Sequence, residues 1–287
     1  MAARDAEVVI INCSTRELTA LALVSALRHG GLPVTVVDCE STDGSVAFLQ
    51  RLQQQLPFTL AHLPLRRHGV TLDRIFRETR RSALLLLDSD AEILDSRLLP
   101  AMQDALAPGT YGSGFLHAGE WLPVAHGGGE RKGWYAERMW IPCVMLDAAL
   151  VAEALAAGQS FQQHVIGNEF PQWPWVSNLL SQRFRVPGLR RLALDRWRAQ
   201  RREYHGATPH YIYCDTGAQM HDYQTRRRGQ KFADLGAAWW PNAVAHFHGV
   251  TRRKLRPGMR NSADVAASRA QAIARITSHY GVRLPET

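Results

Sequence analysis

The sequence predicts an α/β fold with a mostly parallel central sheet. Two observations carry this prediction. Short β-branched or leucine-rich runs alternate, over the first half of the chain, with segments whose apolar residues recur at helical spacing. The run Ala83–Leu87 is apolar at every position, which is typical of a strand buried on both faces. Such alternation predicts βαβ units and a parallel sheet.

Three strands and three helices are predicted before the leucine run. The strands are Glu7–Asn12, Pro33–Asp38 and Phe58–Leu63, and the helices are Glu17–Arg28, Ser45–Gln55 and Val70–Arg81. Gly30 and Gly31 would end the first helix, because glycine adopts the left-handed conformation that closes a helix. A repeated strand–helix unit is therefore expected up to residue 87.

The second half of the chain is less regular. Strands are predicted at Gly112–Leu116 and Trp140–Leu146, and helices at Thr216–Gly229 and Asp264–Ser278. No internal repeat or low-complexity linker divides the sequence. We therefore expect one domain over residues 1–287, with a first half at 1–110 and an embellished second half at 111–287.

Composition indicates an ordinary globular protein, because 46% of the 287 residues are hydrophobic and 21% are charged. The net charge of +8 fits either a solvated surface or an anionic partner such as nucleotide phosphates, nucleic acid or an acidic membrane face. The four cysteines are scattered without a CxxC pair, so free thiols are expected. The sequence shows no signal peptide and no apolar run of the ~18 residues that a membrane span needs, so a cytoplasmic location is expected.

Polar residues follow three predicted strands: Asn12–Thr15, Asp38–Ser45 and Asp88–Asp90. The carboxyl ends of parallel strands face one crevice, where ligands bind. Asp88 and Asp90 repel each other, and burial raises the cost of keeping both charged. A divalent cation removes this cost, and Mg²⁺ is usually held by carboxylates together with substrate phosphates. The pattern predicts a metal–diphosphate site, with a helix N-cap as the alternative.

Three motifs together resemble the nucleotide-sugar glycosyltransferases of the GT-A fold, especially the large inverting family two. They are VVIINCSTRE at residues 8–17, VVDCESTDGS at 36–45 and LLLLDSDAEIL at 84–94, and their order and spacing agree over residues 7–95. The resemblance implies a GT-A fold, that is, a Rossmann-like nucleotide-binding single domain with an embellished C-terminal half. It also implies a hexosyltransferase-like enzyme that uses a nucleoside-diphosphate sugar and inverts its configuration.

The resemblance further implies a donor site at the matched positions: Thr15, Glu17, Asp38, Ser41, Asp43, Arg74, Asp88 and Ser89. Thr15 and Glu17 would lie near the nucleotide, and Asp38 would contact the nucleobase in a pocket lined by Ser41 and Asp43. Arg74 falls where the family often has a donor-contacting arginine, although Ile75 replaces the usual neighbouring asparagine. Asp88 would contact ribose or the sugar, and Asp90 would be the firmer metal ligand. The alternatives are an N-cap for Thr15 and an ordinary turn for Asp43 and Gly44.

The catalytic base is expected at Asp215. Family-two members often have an acidic residue that opens a helix ending at a glycine, and Asp215 precedes such a segment, which ends at Gly229. Cys214 stands where the family usually has a second acidic residue. An acceptor hydroxyl needs a nearby carboxylate to take its proton. An N-cap is the alternative, and Asp222 and Glu169 are weaker candidates.

A histidine near the C-terminus is expected on the metal, as in many GT-A enzymes. His246 and His248 alternate in a strand-like stretch and so would share a face, with His248 slightly preferred. An imidazole ligand favours Mn²⁺ as the bound metal, with Mg²⁺ as the alternative. Arg252, Arg253 and Lys254 would neutralise the diphosphate as it leaves. A surface or satisfied core histidine is the alternative.

Residues 171–206 are rich in tryptophan and arginine, with Trp173, Trp175 and Trp197 as the residues to test. This stretch fits an acceptor lid, a basic helix on an anionic membrane or partner, or a solvated helix. Residues 130–147 are a further candidate for the acceptor cleft. Peripheral contact with the inner membrane face is therefore an option, whereas nucleic acid is not expected as a partner.

Two other functions compete with glycosyl transfer. A sugar-nucleotide nucleotidyltransferase would need a glycine-rich basic loop after the first strand, and NCSTRELTALA has no glycine. A non-catalytic module that binds anions or nucleic acid through residues 183–202 would lose affinity steeply with salt. The sequence leaves open the sugar, the nucleobase, the oligomeric state and the acceptor, which could be a saccharide, lipid, peptide or small natural product.

Overall fold

The structure is a computed structural model, and it describes residues 5–122, 133–167, 209, 211–240, 242–247 and 265–285. Its strands are β1 (Ala6–Asn12), β2 (Val34–Asp38), β3 (Thr59–His62), β4 (Ala83–Asp88), β5 (Ala91–Ile93), β6 (Thr110–His117), β7 (Glu120–Leu122), β8 (Gly133–Tyr135), β9 (Arg138–Asp147), β10 (His164–Gly167), β11 (Tyr211–Cys214), β12 (Lys231–Asp234) and β13 (Val244–His246). Its helices are α1 (Arg16–Gly30), α2 (Ser45–Leu52), α3 (His68–Glu78), α4 (Leu98–Ala105), α5 (Ala148–Ala156), α6 (Ala218–Asp222) and α7 (Val265–Ala274).

A seven-stranded sheet in the order β12-β6-β9-β4-β1-β2-β3 forms the centre of the fold. Strand β9 runs antiparallel to β4 and β6, and the other four pairings are parallel. This confirms the predicted α/β fold with a mostly parallel central sheet. Strands β9 and β12 come from the second half of the chain, so both predicted halves contribute to one sheet.

The leucine run occupies β4, in the middle of this sheet. Leu85 and Leu87 pack into the hydrophobic cluster on one face, and Leu84 and Leu86 pack into the cluster on the other. All four are at most 2% exposed, as expected when successive side chains point to opposite faces of a sheet covered on both sides. Burying each leucine contributes roughly 1.5–3 kcal/mol, so this run can fix β4 in place while its last residue, Asp88, reaches the sheet edge.

Strand β9 carries the chain beyond the carboxyl end of β4. Its ladder with β4 ends where Cys143 faces Leu87, yet β9 begins five residues earlier, at Arg138. The ladder with β6 shifts register between Gly114 and Leu116, in the stretch of β9 that contains Pro142. Proline cannot donate a ladder hydrogen bond and is tolerated at such irregularities. The start of β9 therefore overhangs the edge at which the parallel strands end.

Two smaller sheets complete the described strands. One has four strands in the order β10-β11-β8-β7, and the other is a two-stranded antiparallel ribbon of β5 and β13. The helix predicted at Thr216–Gly229 is shorter in the structure. It starts at Ala218, after Gly217 in the left-handed conformation, and continues as a π-helical segment, Tyr223–Arg227.

The last predicted helix, Asp264–Ser278, corresponds to α7 and a π-helical segment at Arg275–His279, while Asp264 lies outside the described residues. Among the helices of the described chain, none combines the length and apolar character needed to cross a lipid bilayer.

Candidate active site

A buried hydrogen-bond network joins the carboxyl ends of β1 and β2. Asn12, the last residue of β1, donates through its side-chain amide to Asp38 Oδ1 at 2.7 Å and to Ser41 Oγ at 3.0 Å. Asp38 also accepts from the backbone N–H of Ser41 at 3.1 Å. Asn12 and Asp38 are at most 1% exposed, so each of these bonds replaces a lost bond to water. The network therefore fixes the turn that follows β2.

The same network reaches the end of β4. The Thr15 hydroxyl lies 3.1 Å from Asn12 Oδ1 and 3.0 Å from Ser89 Oγ. Thr15 is the N-cap residue of α1, but its side chain makes no capping hydrogen bond. The structure thus brings the three predicted polar strand ends together at one edge of the sheet.

Two non-glycine residues at this edge adopt left-handed backbone conformations. Ser14 has φ 55° and Glu40 has φ 50°, and each follows the end of a neighbouring strand. Such conformations cost on the order of 1–3 kcal/mol and are found where the surrounding structure enforces them. Hydrogen bonds from Ser14 N to Ser41 Oγ at 2.8 Å and from Thr42 N to Ser14 Oγ at 3.1 Å hold these turns against each other.

Asp88, Asp90 and His246 form a cluster suited to a metal ion. One ligand atom from each lies within 4.8 Å of those from the other two, and His246 Nε2 is 3.2 Å from Asp90 Oδ1. The side chains of Asp90 and His246 are 7% and 10% exposed, while that of Asp88 is 28% exposed. The N-cap alternative for Asp88 and Asp90 is excluded, because the next element is the strand β5 rather than a helix.

The β5–β13 ribbon explains how His246 reaches this cluster. His246 pairs with Ala91, and the backbone N–H of Phe247 donates to Asp90 O at 2.8 Å. The His246 ring also packs edge-on against Trp140, with ring centroids 5.4 Å apart. Backbone pairing and an aromatic wall therefore position the imidazole beside Asp90.

His68 is a neighbour of this cluster that the sequence did not indicate. Its Nε2 lies 3.9 Å from Asp88 Oδ1, and it is the first residue of α3. The only available signal was a histidine after two arginines, at the end of a loop that follows a strand. That signal is too common on surfaces to single out a site.

The other predicted donor residues lie in different settings. Glu17 is 5% exposed and ion-paired at 2.7 Å with both Arg16 and Arg269. Asp43 accepts from the backbone N–H of Ser45 at 3.1 Å, at the start of α2. Arg74 lies on the outer side of α3 and pairs with Glu78 at 2.7 Å, and its side chain is 48% exposed. Glu17 and Asp43 therefore lie near the strand ends, whereas Arg74 forms an ion pair within its own helix, α3.

Asp215 follows β11 and lies among polar groups. Its carboxylate accepts from the Tyr135 hydroxyl at 2.5 Å, from the Thr216 N–H at 2.8 Å and from the Gln163 amide, and Arg138 Nε is 3.7 Å away. Burial, with the nearby Asp215 charge, raises the pKa of Tyr135 well above its usual range, so the phenol stays a donor. The N-cap of α6 is Gly217 rather than Asp215.

Arg138 shows where Asp215 lies relative to the metal cluster. It is the first residue of β9, which begins beyond the carboxyl end of β4. If the register is extended by one residue beyond its last pair, Leu87 with Cys143, Asp88 comes opposite Pro142, which is four residues or about 13 Å along an extended strand from Arg138. The Asp215 carboxylate and the aspartates after β4 thus lie at the same edge of the sheet.

Several predicted residues lie outside the described part of the chain. They are His248, Arg252, Arg253, Lys254, Glu169, Trp173, Trp175 and Trp197. A metal-binding role for His248 therefore stays a prediction, whereas His246 is seen to contact Asp90.

Two further residues of this region could not be given a specific role from the sequence. Asn12 organises the strand ends, and its signal was a polar residue at the last position of a β-branched run. Glu92 is fully buried beside the cluster, in the ribbon strand β5. Its signal was a carboxylate inside the apolar stretch AEIL, since a buried charge is expected to have a partner.

The mostly parallel sheet, with Asp88, Asp90 and His246 at its carboxyl edge, agrees with the predicted GT-A-like fold. Residues 8–138 match the family model described as Glycosyl transferase family 2. The match spans a little less than half of the chain. It confirms, over these residues, the resemblance to family two that the sequence predicts.

Comparison with solved structures gives distant likenesses. TarS 1-349 of S. aureus is 15% identical over 52% of this chain and 48% of that chain, with a TM-score of 0.37. The same protein in complex with UDP-GlcNAc is 14% identical over 52% of this chain and 46% of that chain, with a TM-score of 0.37. The mannosyltransferase PcManGT from Pyrobaculum calidifontis, in complex with GDP-Man and Mn²⁺, is 13% identical over 96% of this chain and 75% of that chain, with a TM-score of 0.42.

The chain thus spans about half the length of TarS 1-349. A comparison with curated protein sequences finds no match.

Proposed function

We propose that this chain transfers a sugar from a nucleoside-diphosphate sugar to an acceptor hydroxyl, with inversion and with the help of a divalent cation. The observation that carries the proposal is the convergence of Asp88, Asp90 and His246 at the carboxyl edge of the sheet. Carboxylate oxygens suit both Mg²⁺ and Mn²⁺, and an imidazole favours Mn²⁺. When bound, the cation supplies positive charge to the diphosphate of the donor.

The donor pocket is proposed along the network of the three strand ends. Asp38 is proposed to accept a hydrogen bond from the nucleobase, since a carboxylate has about four acceptor sites and, among the described residues, Asn12 and Ser41 use two of them. Thr15, Ser41 and Ser89 are held in place by one another and by Asn12, so they are pre-organised to bind the nucleotide. Glu17 and Asp43 complete this pocket, and Arg74 would have to leave Glu78 to reach the donor.

Asp215 is proposed as the base that takes the proton of the acceptor hydroxyl. Among the described residues its carboxylate accepts three hydrogen bonds, and a carboxylate has about four acceptor sites. Attack on the anomeric carbon opposite the leaving nucleotide gives inversion. Arg252, Arg253 and Lys254 are proposed to neutralise the departing diphosphate.

A donor screen tests the metal and the donor class. UDP-, GDP- and dTDP-sugars would be offered with Mn²⁺, Mg²⁺ or a chelator, with hydrolysis and calorimetric binding as the measurements. We expect one donor class to bind and turn over only with metal. Asp90→Asn should abolish metal-dependent binding, whereas Asp104→Asn, an exposed aspartate on α4, should match the wild type. Equal activity in chelator would refute the metal dependence.

A substitution at Asp215 tests the base. Asp215→Asn keeps the shape of the side chain but removes its basicity, so turnover should fall by about 10²–10⁴-fold while donor binding stays within twofold. Full turnover by Asp215→Asn would assign the base elsewhere, with Asp222 as the next candidate. Turnover would be measured with the donor found in the screen and with water or a saccharide as acceptor.

A further inference from the structure

Glu92 is a fully buried carboxylate two residues after Asp90. Its side chain is 0% exposed, and Arg275 Nε lies 2.8 Å and 2.6 Å from its two oxygens. The Tyr280 hydroxyl donates to Glu92 Oε1 at 2.8 Å. A buried charge requires such partners, and both come from the C-terminal segment around α7.

The position of Glu92 in the ribbon connects it to the metal cluster. Glu92 pairs with Ala245, and the next pair along is Ala91 with His246. Directly paired residues share a face and successive pairs alternate, so Glu92 projects away from the face that carries His246. Arg275 and Tyr280 therefore hold the ribbon from behind, without entering the cluster.

The element that supplies Arg275 is itself fixed to the donor half. Ala272 of α7 and Ile276 of the π-helical segment are fully buried in the core. Arg269 of α7 pairs with Glu17 at 2.7 Å. From the α1 side, Ser25 Oγ accepts the backbone N–H of Ile93 at 3.1 Å. The ribbon is thus anchored from two elements.

We propose that Arg275 is a positioning residue for the metal site, acting through Glu92 on the ribbon that places His246 beside Asp90. This inference rests on the proposed function for the use of the cation. A buried ion pair is weak evidence for stability, since apolar side chains of similar volume often serve as well. An ion pair does fix the orientation of the two side chains that form it. Partners that orient metal ligands typically affect metal affinity 10–100-fold.

The test compares Mn²⁺ affinity of the full chain, by electron paramagnetic resonance, among paired variants. Arg275→Met alone leaves Glu92 buried without its cation and can lower stability. The double variant Glu92→Gln, Arg275→Met removes both charges and avoids that cost. We expect it to bind Mn²⁺ about tenfold more weakly while keeping a thermal midpoint near that of the wild type. Arg283→Met, an exposed arginine in the same segment, is the control.

A double-mutant cycle shows whether Arg275 acts through His246. If it does, the double variant should weaken Mn²⁺ binding in the wild-type background and add nothing in a His246→Ala background. Equal losses in both backgrounds, or a lower thermal midpoint with unchanged Mn²⁺ affinity, would overturn the proposal.

A readout without metal separates this inference from the proposed function. In the metal-free protein, the imidazole resonances of His246, assigned by comparison with His246→Gln, should move in the double variant and stay in place in Arg283→Met. Wild-type protein that fails to bind Mn²⁺ would refute the metal site, while the resonances would still decide the positioning role. Unmoved His246 resonances would refute that role.

Discussion

Asp90 and His246 are 156 positions apart in the sequence, yet their side chains meet at 3.2 Å. The two aspartates could be predicted from the sequence, because the apolar strand before them and the second acidic turn at Asp38–Ser45 favour a ligand site over a helix N-cap. The partner histidine could not be chosen between His246 and His248, because the choice depends on the register of a strand pairing. The position of His68 depends on how a loop and α3 approach β4, which no local pattern encodes.

His68 should have a measurable but small effect on donor binding. Its Nε2 lies 3.9 Å from Asp88 Oδ1, and its side chain is 38% exposed. Contacts between exposed polar side chains at such a distance contribute at most about 1 kcal/mol, so His68→Gln should weaken donor binding by no more than about fivefold. Calorimetry with Mn²⁺ and the nucleoside diphosphate measures this. A loss as large as that of Asp90→Asn would instead make His68 a metal ligand.

At the scale of elements, the early strands and helices were predicted to within a few residues. The β-branched runs and the glycine stop at Gly30 and Gly31 are local signals, and they sufficed for β1, α1 and β2. The helix after Asp215 was predicted too long. Gly217 holds a left-handed conformation, φ 84°, and the helix starts only after it. Tertiary contacts around α6, such as the Gln224 amide to Leu150 O at 2.6 Å, are not visible in the sequence.

Helix α3 depends on a close approach at Gly69. A Cβ at this position would lie 2.6 Å from the backbone of Gln162, which cannot move aside cheaply. Gly69→Ala should therefore lower the free energy of unfolding by about 1–3 kcal/mol, as measured by urea denaturation.

Gly30→Ala is the matched control for this substitution. Its Cβ would meet only the end of the Leu99 side chain, at 2.8 Å, which can rotate. Alanine is the better helix former, so this variant should stay within about 0.5–1 kcal/mol of the wild type. Equal destabilisation by the two substitutions would contradict the close approach at Gly69.

Helix α6 should give the protein a pH-dependent stability through His221. This histidine is 3% exposed, with Nδ1 at 2.5 Å from the Tyr111 hydroxyl and Nε2 at 3.0 Å from Glu137. Burial lowers its pKa, although Glu137 acts in the opposite direction. As the pH falls through about 6.5, His221 is protonated in the unfolded chain but stays neutral in the folded chain. The contribution of His221 to the free energy of unfolding is therefore fully present above that pH and is lost as the pH falls below it.

His221→Gln removes this titration. The decrease of the thermal midpoint below about pH 6.5 should therefore be shallower in the variant than in the wild type. A part of the slope should persist, because burial also lowers the pKa of His29. Identical slopes in His221→Gln and the wild type would show that His221 does not titrate differently in the two states.

At the scale of the whole molecule, the mostly parallel sheet could be predicted from the sequence, but the order of its strands beyond β4 could not. Alternating elements predict parallel neighbours in the first half of the chain. The antiparallel insertion of β9 between β4 and β6 joins residues far apart in sequence, and their apolar patterns fit several partners. The location of Glu92 against Arg275 is a pairing of the same kind, since many arginines in this chain could have met one buried glutamate.

Although the chain has a surplus of basic residues, its affinity for a nucleoside diphosphate should depend only moderately on salt concentration. A site built on a cation and a diphosphate should need Mn²⁺ or Mg²⁺ at every ionic strength. A module that binds nucleic acid through many phosphates would lose about 10³–10⁵ in affinity between 50 and 200 mM salt. We expect diphosphate binding to change less than tenfold over that range. A steep loss that ignores chelator would favour the binding module.

The pairing of β5 with β13 also sets an order of events during synthesis. The aspartates after β4 leave the ribosome early, but their histidine partner follows more than a hundred residues later. Until residue 246 has emerged and folded back, the growing polypeptide lacks the histidine of the proposed metal site. The proposed activity would therefore be acquired late in synthesis, and shorter nascent chains should be inert towards nucleotide sugars.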